Sequence, residues 1–230
     1  MRTLLATWLG RVAYRPAFEL QQVVAQLRAE NKLGDTLLLL EHDPVYTLGR
    51  RAPEEEILFD ADALAERGIA VEHTDRGGRV TYHGPGQLVG YPIVYLGAMG
   101  DLVGYVRALE RAMIAVAGDF GVEAGTVEGM TGIWAGDRKL GAIGIHVSRG
   151  ITTHGFAINV NTDLAMFNGI VPCGIVDRGV TSLGELLGRE VPMPDAVHAT
   201  KRRVGEALGA FRVIDATPSE LGLGVPGVRA

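Results

Sequence analysis

Three groups in the sequence have the chemistry to act on a substrate. The first is R-G-G-R-V-T-Y-H-G-P-G-Q, Arg76 to Gln87, which holds four glycines, a proline, two arginines, Thr81, Tyr82 and His83. Glycines let backbone N–H groups approach a ligand closely and adopt positive φ. A decorated hairpin turn would use the same residues, so composition alone leaves both readings open. It is neither a P-loop, which needs G-x-x-x-x-G-K-[ST], nor the dinucleotide fingerprint, because no long helix follows it. The second group is Cys173, the single cysteine, in I-V-P-C-G-I. A free cysteine is often just a small buried hydrophobe. Pro172 and Gly174, however, set this one on a turn, which can present a side chain to a cleft. The third is Lys139, one of three lysines among 22 basic residues. It opens the apolar run K-L-G-A-I-G-I-H, whereas Lys32 and Lys201 sit in polar surroundings. Spacing alone favours a solvated lysine at a hairpin end. If it faces Cys173, chemistry follows. A thiol with pKa near 8.5 is only about 3% thiolate at pH 7, and a nearby cation favours the thiolate. Lowering that pKa by about two would leave the thiol mostly ionised, worth about 2.7 kcal/mol.

The six histidines are scattered, and neither H-E-x-x-H nor paired-cysteine spacing occurs, so no zinc site is expected. His83 with Cys173 would make a thiol–imidazole pair. His154, in T-T-H-G-F-A, reads equally well as a core or strand-edge residue. Asp163 and Asp177 read as loop caps or braces, and there is no G-x-S-x-G elbow.

The elements that must position these groups are legible by period and punctuation. Strands are expected at Leu4 to Leu9, Thr36 to Glu41 and Ile69 to His73, the second a continuous apolar run of the buried kind. A helix runs from about Pro16 to Glu30, with Ala17, Leu20, Val24 and Leu27 at helical spacing and Pro16 in its first turn. Asp60 caps a short helix ending at Gly68. Asp101 caps the strongest helix, about Leu102 to Phe120, whose apolar residues alternate steps of four and three. Strands follow at Gly132 to Ala135, Lys139 to Ser148 and Thr152 to Val160, with turns at Gly136-Asp137 and Arg149-Gly150. Ser182 with Glu185 opens another short helix, and Pro194 to about Val213 forms the last. Residues 1–215 read as one α+β domain, a mixed-sheet α/β arrangement. Residues 216–230 read as a Gly/Pro-rich tail, loosely held from Thr217.

Composition excludes whole classes of function. The chain has 230 residues, 47% hydrophobic and 21% charged, which is ordinary for a globular protein and unlike a disordered one. Its 32 glycines show no collagen period. A net charge of −5 without a basic stripe argues against nucleic acid as partner. One cysteine cannot form an internal disulfide. No apolar run is long enough to cross a membrane, and the N-terminus lacks a signal-peptide core. A cytoplasmic protein is expected.

Five segments together go beyond generic features. They are H-D-P-V-Y-T-L-G-R (His42 to Arg50), R-G-G-R-V-T-Y-H-G-P-G-Q-L-V-G-Y-P-I (Arg76 to Ile93), K-L-G-A-I-G-I-H (Lys139 to His146), H-G-F-A-I-N-V (His154 to Val160) and P-C-G-I (Pro172 to Ile175). The set, in this order, closely resembles the octanoyl-[acyl carrier protein]–protein N-octanoyltransferases, the lipoate-protein ligase B family, over about Leu4 to Gly188. The resemblance implies a single domain with the biotin and lipoate ligase catalytic fold, a mixed sheet flanked by helices. It implies transfer of an octanoyl or lipoyl group from an acyl carrier protein thioester to a lysine. That lysine belongs to the lipoyl domains of 2-oxoacid dehydrogenase complexes or to the glycine cleavage H protein. Cys173 corresponds to the nucleophile and Lys139 to its partner. The acyl pocket corresponds to Arg76, Gly77, Gly78, Arg79, Val80, Thr81, Tyr82 and His83, with Ala142, Ile143 and Gly144 on one strand and Gly155, Phe156 and Ala157 on another. No metal, cofactor or membrane is implied, and a monomer is expected.

Three rival readings use the same residues. An ATP-dependent ligase of this fold needs no cysteine. A cysteine hydrolase would pair Cys173 with His83 or His154 and use water as acceptor. A non-enzymatic carrier-binding module would keep Cys173 in the core.

Overall fold

The structure is a computed structural model that describes residues 3–97, 100–171 and 179–223. Its frame is a mixed sheet of eight strands among the described residues, in the order β11-β1-β2-β6-β10-β9-β8-β7. At its centre stands β2 (Asp35–Glu41), between β1 (Thr3–Arg11) and β6 (Gln87–Ile93). The leucines Leu37 to Leu40 are wholly buried, as an uninterrupted apolar run requires when both sheet faces are covered. β1 runs parallel to β2, and β2 antiparallel to β6. From there the sheet continues antiparallel through β10 (Ile151–Asn159), β9 (Arg138–Ser148), β8 (Met130–Ala135) and β7 (Gly125–Val127).

Two helical layers close the faces. On one, α3 (Leu102–Asp119) and α5 (Met193–Ala207) pack Leu109, Met113, Val116 and Val204 against Leu39, Leu88 and Ile158. On the other, α1 (Tyr14–Ala29) sets Leu20 and Val24 against Leu38, Leu40, Val89 and Tyr91. Full burial of each such side chain is worth roughly 1.5–3 kcal/mol. Asp101 caps α3 by accepting the Gly104 N–H at 2.7 Å, and Asp60 caps α2 (Ala61–Glu66) through the Ala63 N–H. Ser182 accepts from Glu185 at the start of α4 (Leu183–Leu187). The Glu185 carboxylate turns to the Thr181 hydroxyl.

A second sheet, β4-β3-β5, lies beside α1 (β3 Val45–Leu48, β4 Ala70–His73, β5 Val80–His83). With the 3₁₀ turns Leu164–Gly169 it encloses a core of Tyr46, Leu48, Tyr82 and Phe167. The sequence reading misses β3, β5, β6 and β7. Glycine and proline inside β6 mask its pattern, and β3, β5 and β7 span only three or four residues each.

Two expectations are corrected at the C-terminal end. The last helix does not run to Val213. It stops at Ala207, Gly209 takes φ +68°, and Arg212–Asp215 form β11, a parallel edge strand on β1. Val213 covers Gly205, where any side chain would collide with it, so apolar spacing that reads as helix is a strand packed on a helix. Nor are residues 217–223 loose. Leu221 and Leu223 are buried in the α1-side core, and Glu220 bonds the Thr217 N–H and hydroxyl. Replacing both leucines by alanine is therefore expected to lower the urea-unfolding free energy by about 2 kcal/mol or more per site. A loose tail would show almost no change.

Candidate functional site

The site begins with small residues on the α1-side face. Ala157 lies opposite Val89 on β6 and Ala142 on β9, and Gly155 opposite Gly144. Residues facing each other across strands share one sheet face, so Ala142, Gly144, Gly155 and Ala157 form a shallow floor beside Val89 and Tyr91. Ile143 and Phe156 alternate to the other face, where they join the α3 core. Gly90 is bare because the Phe156 ring occupies the position of its side chain. The floor cannot fill the space above it, and a cleft of about 500 Å³ remains.

Residues 76–83 form the roof. Arg76 is buried, and its guanidinium bonds the Thr47 hydroxyl and carbonyl at 2.8 and 2.5 Å, stapling the loop to β3. The Gly77 N–H bonds the Ile145 carbonyl at 2.9 Å, fixing the same loop to β9. Gly49 permits this approach, since a methyl there would sit 2.5 Å from the Gly78 carbonyl oxygen. Arg79 pairs with the buried Glu56. Tyr14, Tyr91 and His154 close the far end. Tyr91 is locked there, its hydroxyl 2.7 Å from His42 Nε2, while His42 Nδ1 lies 2.7 Å from the Val12 carbonyl oxygen. A carbonyl can only accept, so Nδ1 carries the proton and the phenol donates to Nε2. The Tyr14 hydroxyl is also buried here. Thr74 is its polar neighbour, at a geometry short of a hydrogen bond, and burial pushes the phenol up to about 12.

At the near end the cleft joins a narrower one through Thr81, Ala142 and Ala157, and this second cleft is lined by Lys139, Gln87, Asn159 and Val180. Lys139 is 9% exposed, with Nζ 5.2 Å from the centre of the Trp134 ring. Cys173 falls in 172–178, outside the described residues. The flanks of that segment are described. Before it, the Val171 N–H bonds the Glu56 carbonyl at 2.9 Å. After it, the Gly179 carbonyl accepts the Lys139 N–H and the Thr181 N–H bonds the Lys139 carbonyl, both at 2.9 Å.

A hydrogen-bonded chain fixes the imidazole of the roof. Asn159 Nδ2 donates to the Thr181 carbonyl, so its Oδ1 accepts from Gln87 Nε2 at 2.9 Å. Gln87 Oε1 must then accept from His83 Nδ1 at 2.6 Å. Nδ1 of His83 thus carries a proton, and burial depresses the pKa to about 3, which keeps the ring neutral at neutral pH; the same cause takes His42 to about 4. His154 holds φ +55° inside β10, a conformation costing of order 1–3 kcal/mol. Its N–H bonds Gln21 Oε1 at 2.7 Å and its Nε2 lies 2.6 Å from Asp75 Oδ1. Burial lowers the His154 pKa against the opposing pull of that carboxylate, and the hydrogen bond from His154 lowers Asp75.

Of the residues expected in an acyl pocket, Arg76, Gly78, Arg79, Val80, Thr81, His83, Ala142, Ile143, Gly144, Gly155, Phe156 and Ala157 border the wide cleft. Tyr82 does not. Its ring turns away to meet Tyr46 and Phe167 edge-on. Gly77 borders the outer groove beside Arg50 and Arg51. Sequence reasoning misses Tyr14, Val89, Tyr91, Gln87 and Asn159. Val89, Tyr91, Gln87 and Asn159 stand in quoted motifs, where strand alternation from Ala157 and Val89 would have found them.

Comparison with known proteins agrees with this geometry. Residues 13–205 match the family model described as the lipoyl protein ligase A/B catalytic domain. The octanoyltransferase of Mycolicibacterium gilvum is 48% identical over 230 residues, covering 96% of this chain and 90% of that protein. The octanoyltransferase of Solibacter usitatus is 52% identical, covering 81% and 84%. Among solved structures, a lipoate protein ligase from T. acidophilum with bound lipoic acid superposes with a TM-score of 0.75 at 21% identity, covering 94% of this chain and 90% of that one. Biotin protein ligase from Aquifex aeolicus, in complex with biotin and ATP, gives 0.55 at 17%, covering 92% and 72%. These structural likenesses establish the mixed-sheet α+β fold in a single domain.

The two neutral histidines set a pH dependence. In the unfolded chain each titrates near 6.5, whereas the folded protein keeps both neutral well below that. The unfolded state therefore binds more protons in acid, and stability falls as pH drops below about 6.5. Each histidine should contribute up to about 1.4 kcal/mol per pH unit until its folded pKa is reached. Urea unfolding between pH 7 and 5 checks this, and His42→Gln should flatten the slope.

Proposed function

We propose, for a chain that belongs to the lipoyl protein ligase A/B catalytic-domain family, that it is an octanoyltransferase acting in protein lipoylation through a Cys173 acyl-thioester. The observation that carries this reading is Lys139 at one end of an apolar cleft, its backbone bonded to the chain that follows Cys173. In the first step the Cys173 thiolate attacks the carbonyl carbon of the octanoyl-carrier thioester. The carrier sulfur leaves and takes up a proton from Lys139, which becomes the free amine, and one thioester replaces another at nearly constant free energy. In the second step the amine of the acceptor lysine attacks the acyl-enzyme, the amide forms, and the Cys173 thiolate is released. The amine proton passes through Lys139. Amide formation runs downhill from a thioester, so ATP is not needed, and splitting the transfer gives ping-pong kinetics. The cleft takes the chain by burial, about 5 kcal/mol gross for six methylenes. Each methylene discriminates only about tenfold or somewhat more, so chain-length preference is graded. A hydrolase that uses His83 as base fits poorly, because an imidazole with a pKa of about 3 is a weak proton acceptor at neutral pH.

Intact mass after mixing with octanoyl-carrier, without acceptor or ATP, tests the intermediate. Wild type should carry a hydroxylamine-labile octanoyl adduct, and Cys173→Ser none. Lys139→Ala should stay folded and lose most acyl transfer. An adduct-free wild type with the carrier still loaded removes Cys173 from the mechanism. ATP-dependent turnover in Cys173→Ser would point to the adenylating ligase.

The donor reading rests on charge. The chain is acidic overall, yet Lys139, Arg50, Arg51 and Arg79 share an open groove of about 1460 Å³. Arg50 and Arg51 are exposed and form no ion pair among the described residues. Their backbone is zipped to the roof loop through the Arg76 and Gly78 carbonyls. An acidic carrier protein, with a phosphate on its acyl-bearing arm, fits such a mouth. The acceptor is a lipoyl domain of a 2-oxoacid dehydrogenase complex or the glycine cleavage H protein. Reversing both charges (Arg50→Glu with Arg51→Glu) should raise KM for octanoyl-carrier at least severalfold with kcat little changed, and salt should shrink the difference. An equal KM rise with an octanoyl thioester lacking the carrier would move these arginines to the acyl site.

A further inference from the structure

Glu110 occupies a core position of α3, between Leu109 and Met113, and is 1% exposed. An amphipathic helix puts apolar residues on that face, and a buried carboxylate is costly unless it is paired. Its partners explain its place. Oε2 accepts from Arg107 at 2.5 Å, and Oε1 accepts the backbone N–H of Gly132 at 3.1 Å. Gly132 has φ +114°, a conformation for glycine. A methyl group there would lie 3.1 Å from Lys139 Cε and 2.5 Å from the Gly141 carbonyl oxygen. The empty position of that side chain is where the lysine stem passes.

The pairing of β8 with β9 slips by one residue here, Trp134 facing Lys139 but Ile133 facing Gly141. A bulge of this kind re-aims a side chain. Helix α3 grips it from both sides. Glu110 holds Gly132, and three residues on, Met113 presses on bare Gly141, whose side-chain position it would overlap. Positions i and i+3 share one helix face. We infer that Glu110 is a positioning residue for Lys139, holding the bulge that lays the lysine stem across Gly132 with its ammonium over Trp134. The inference deepens the proposed function, since its catalytic consequence rests on Lys139 taking part in acyl transfer.

The test reads position separately from turnover. The chain has three lysines, so protein labelled with ¹³C at lysine Cε gives a simple spectrum, and Lys139→Arg identifies the Lys139 signal. In wild type that signal should be displaced by the Trp134 ring current, and Trp134→Leu should abolish the displacement. Glu110→Gln keeps an acceptor for the Gly132 N–H and should keep both the signal and the activity. Glu110→Ala and Glu110→Met, two replacements of different volume that serve if one fails to fold, should return the signal towards those of Lys32 and Lys201. They should also lower kcat on the order of 10²-fold, as for a catalytic group displaced by about 1 Å, with KM for octanoyl-carrier little changed. An unmoved Lys139 signal in a folded Glu110→Ala or Glu110→Met protein overturns the inference. A moved signal with normal turnover supports the positioning and instead removes Lys139 from the proposed chemistry.

Discussion

Protein interiors close-pack, and a cavity under a sheet persists only if its floor cannot fill it and its walls cannot collapse into it. That constraint organises this molecule. Ala142, Gly144, Gly155 and Ala157 leave the space, and everything around them resists its closure. Arg76 ties its guanidinium to Thr47. Tyr91 is held by His42, and His42 by a main-chain carbonyl. The Gly77 N–H ties the roof to the floor strand. Each wall is a polar staple between elements distant in sequence, so a loop rich in glycine stays propped open.

The same staples set the electrostatics. Burying imidazoles among hydrogen-bonded neighbours keeps them neutral, and among the described residues lining the narrow cleft Lys139 is the basic side chain. The proposed chemistry, which turns on stabilising a thiolate, would benefit from a basic group beside it. His83 then serves as a hydrogen-bonded strut, and its chain through Gln87 and Asn159 reaches Thr181, beside the backbone that pairs with Lys139. Roof, floor and lysine are thus one connected network.

Much of the cleft was legible in sequence because its demands are local. A glycine-rich loop and a lysine heading an apolar strand each announce themselves within a few residues. Longer elements with clear caps, such as the helix after Asp101, were legible for the same reason. What escaped depends on partners far along the chain. Tyr91 reads as one more core aromatic until His42 is placed against it, 49 residues away. Tyr82 sits inside the binding motif but faces the small core, because β5 alternates and every second residue must turn from the cleft. Val213 followed a helical spacing, but the chain had reversed at Gly209 before reaching it. Nothing in the sequence singles out Glu110, and only the packing of α3 on the β8–β9 bulge shows it buried.

The strand that carries Lys139 also carries half of the floor, Ala142 and Gly144, and on the proposed mechanism this links reactivity to chain length. Going from Asn159 to Gly155 along β10 spans four residues, roughly 14 Å of antiparallel strand, with Lys139 at one end and Tyr91 and His154 at the other. On the proposed reading, an extended acyl chain lying along that floor is measured from the lysine. A shift of β9 against β10 would move that origin relative to the far wall and change the measured length. The far wall belongs to other elements, Tyr91 on β6 and Tyr14 on α1, so length is set by how those elements dock on the sheet. Tyr91 is pinned through His42 to Val12, two residues before α1, so β6 and the entry to α1 move as one. The wall is therefore held to the same frame as the lysine through the β6–β10 and β10–β9 ladders. On the proposed reading, selectivity for length then rests on sheet register.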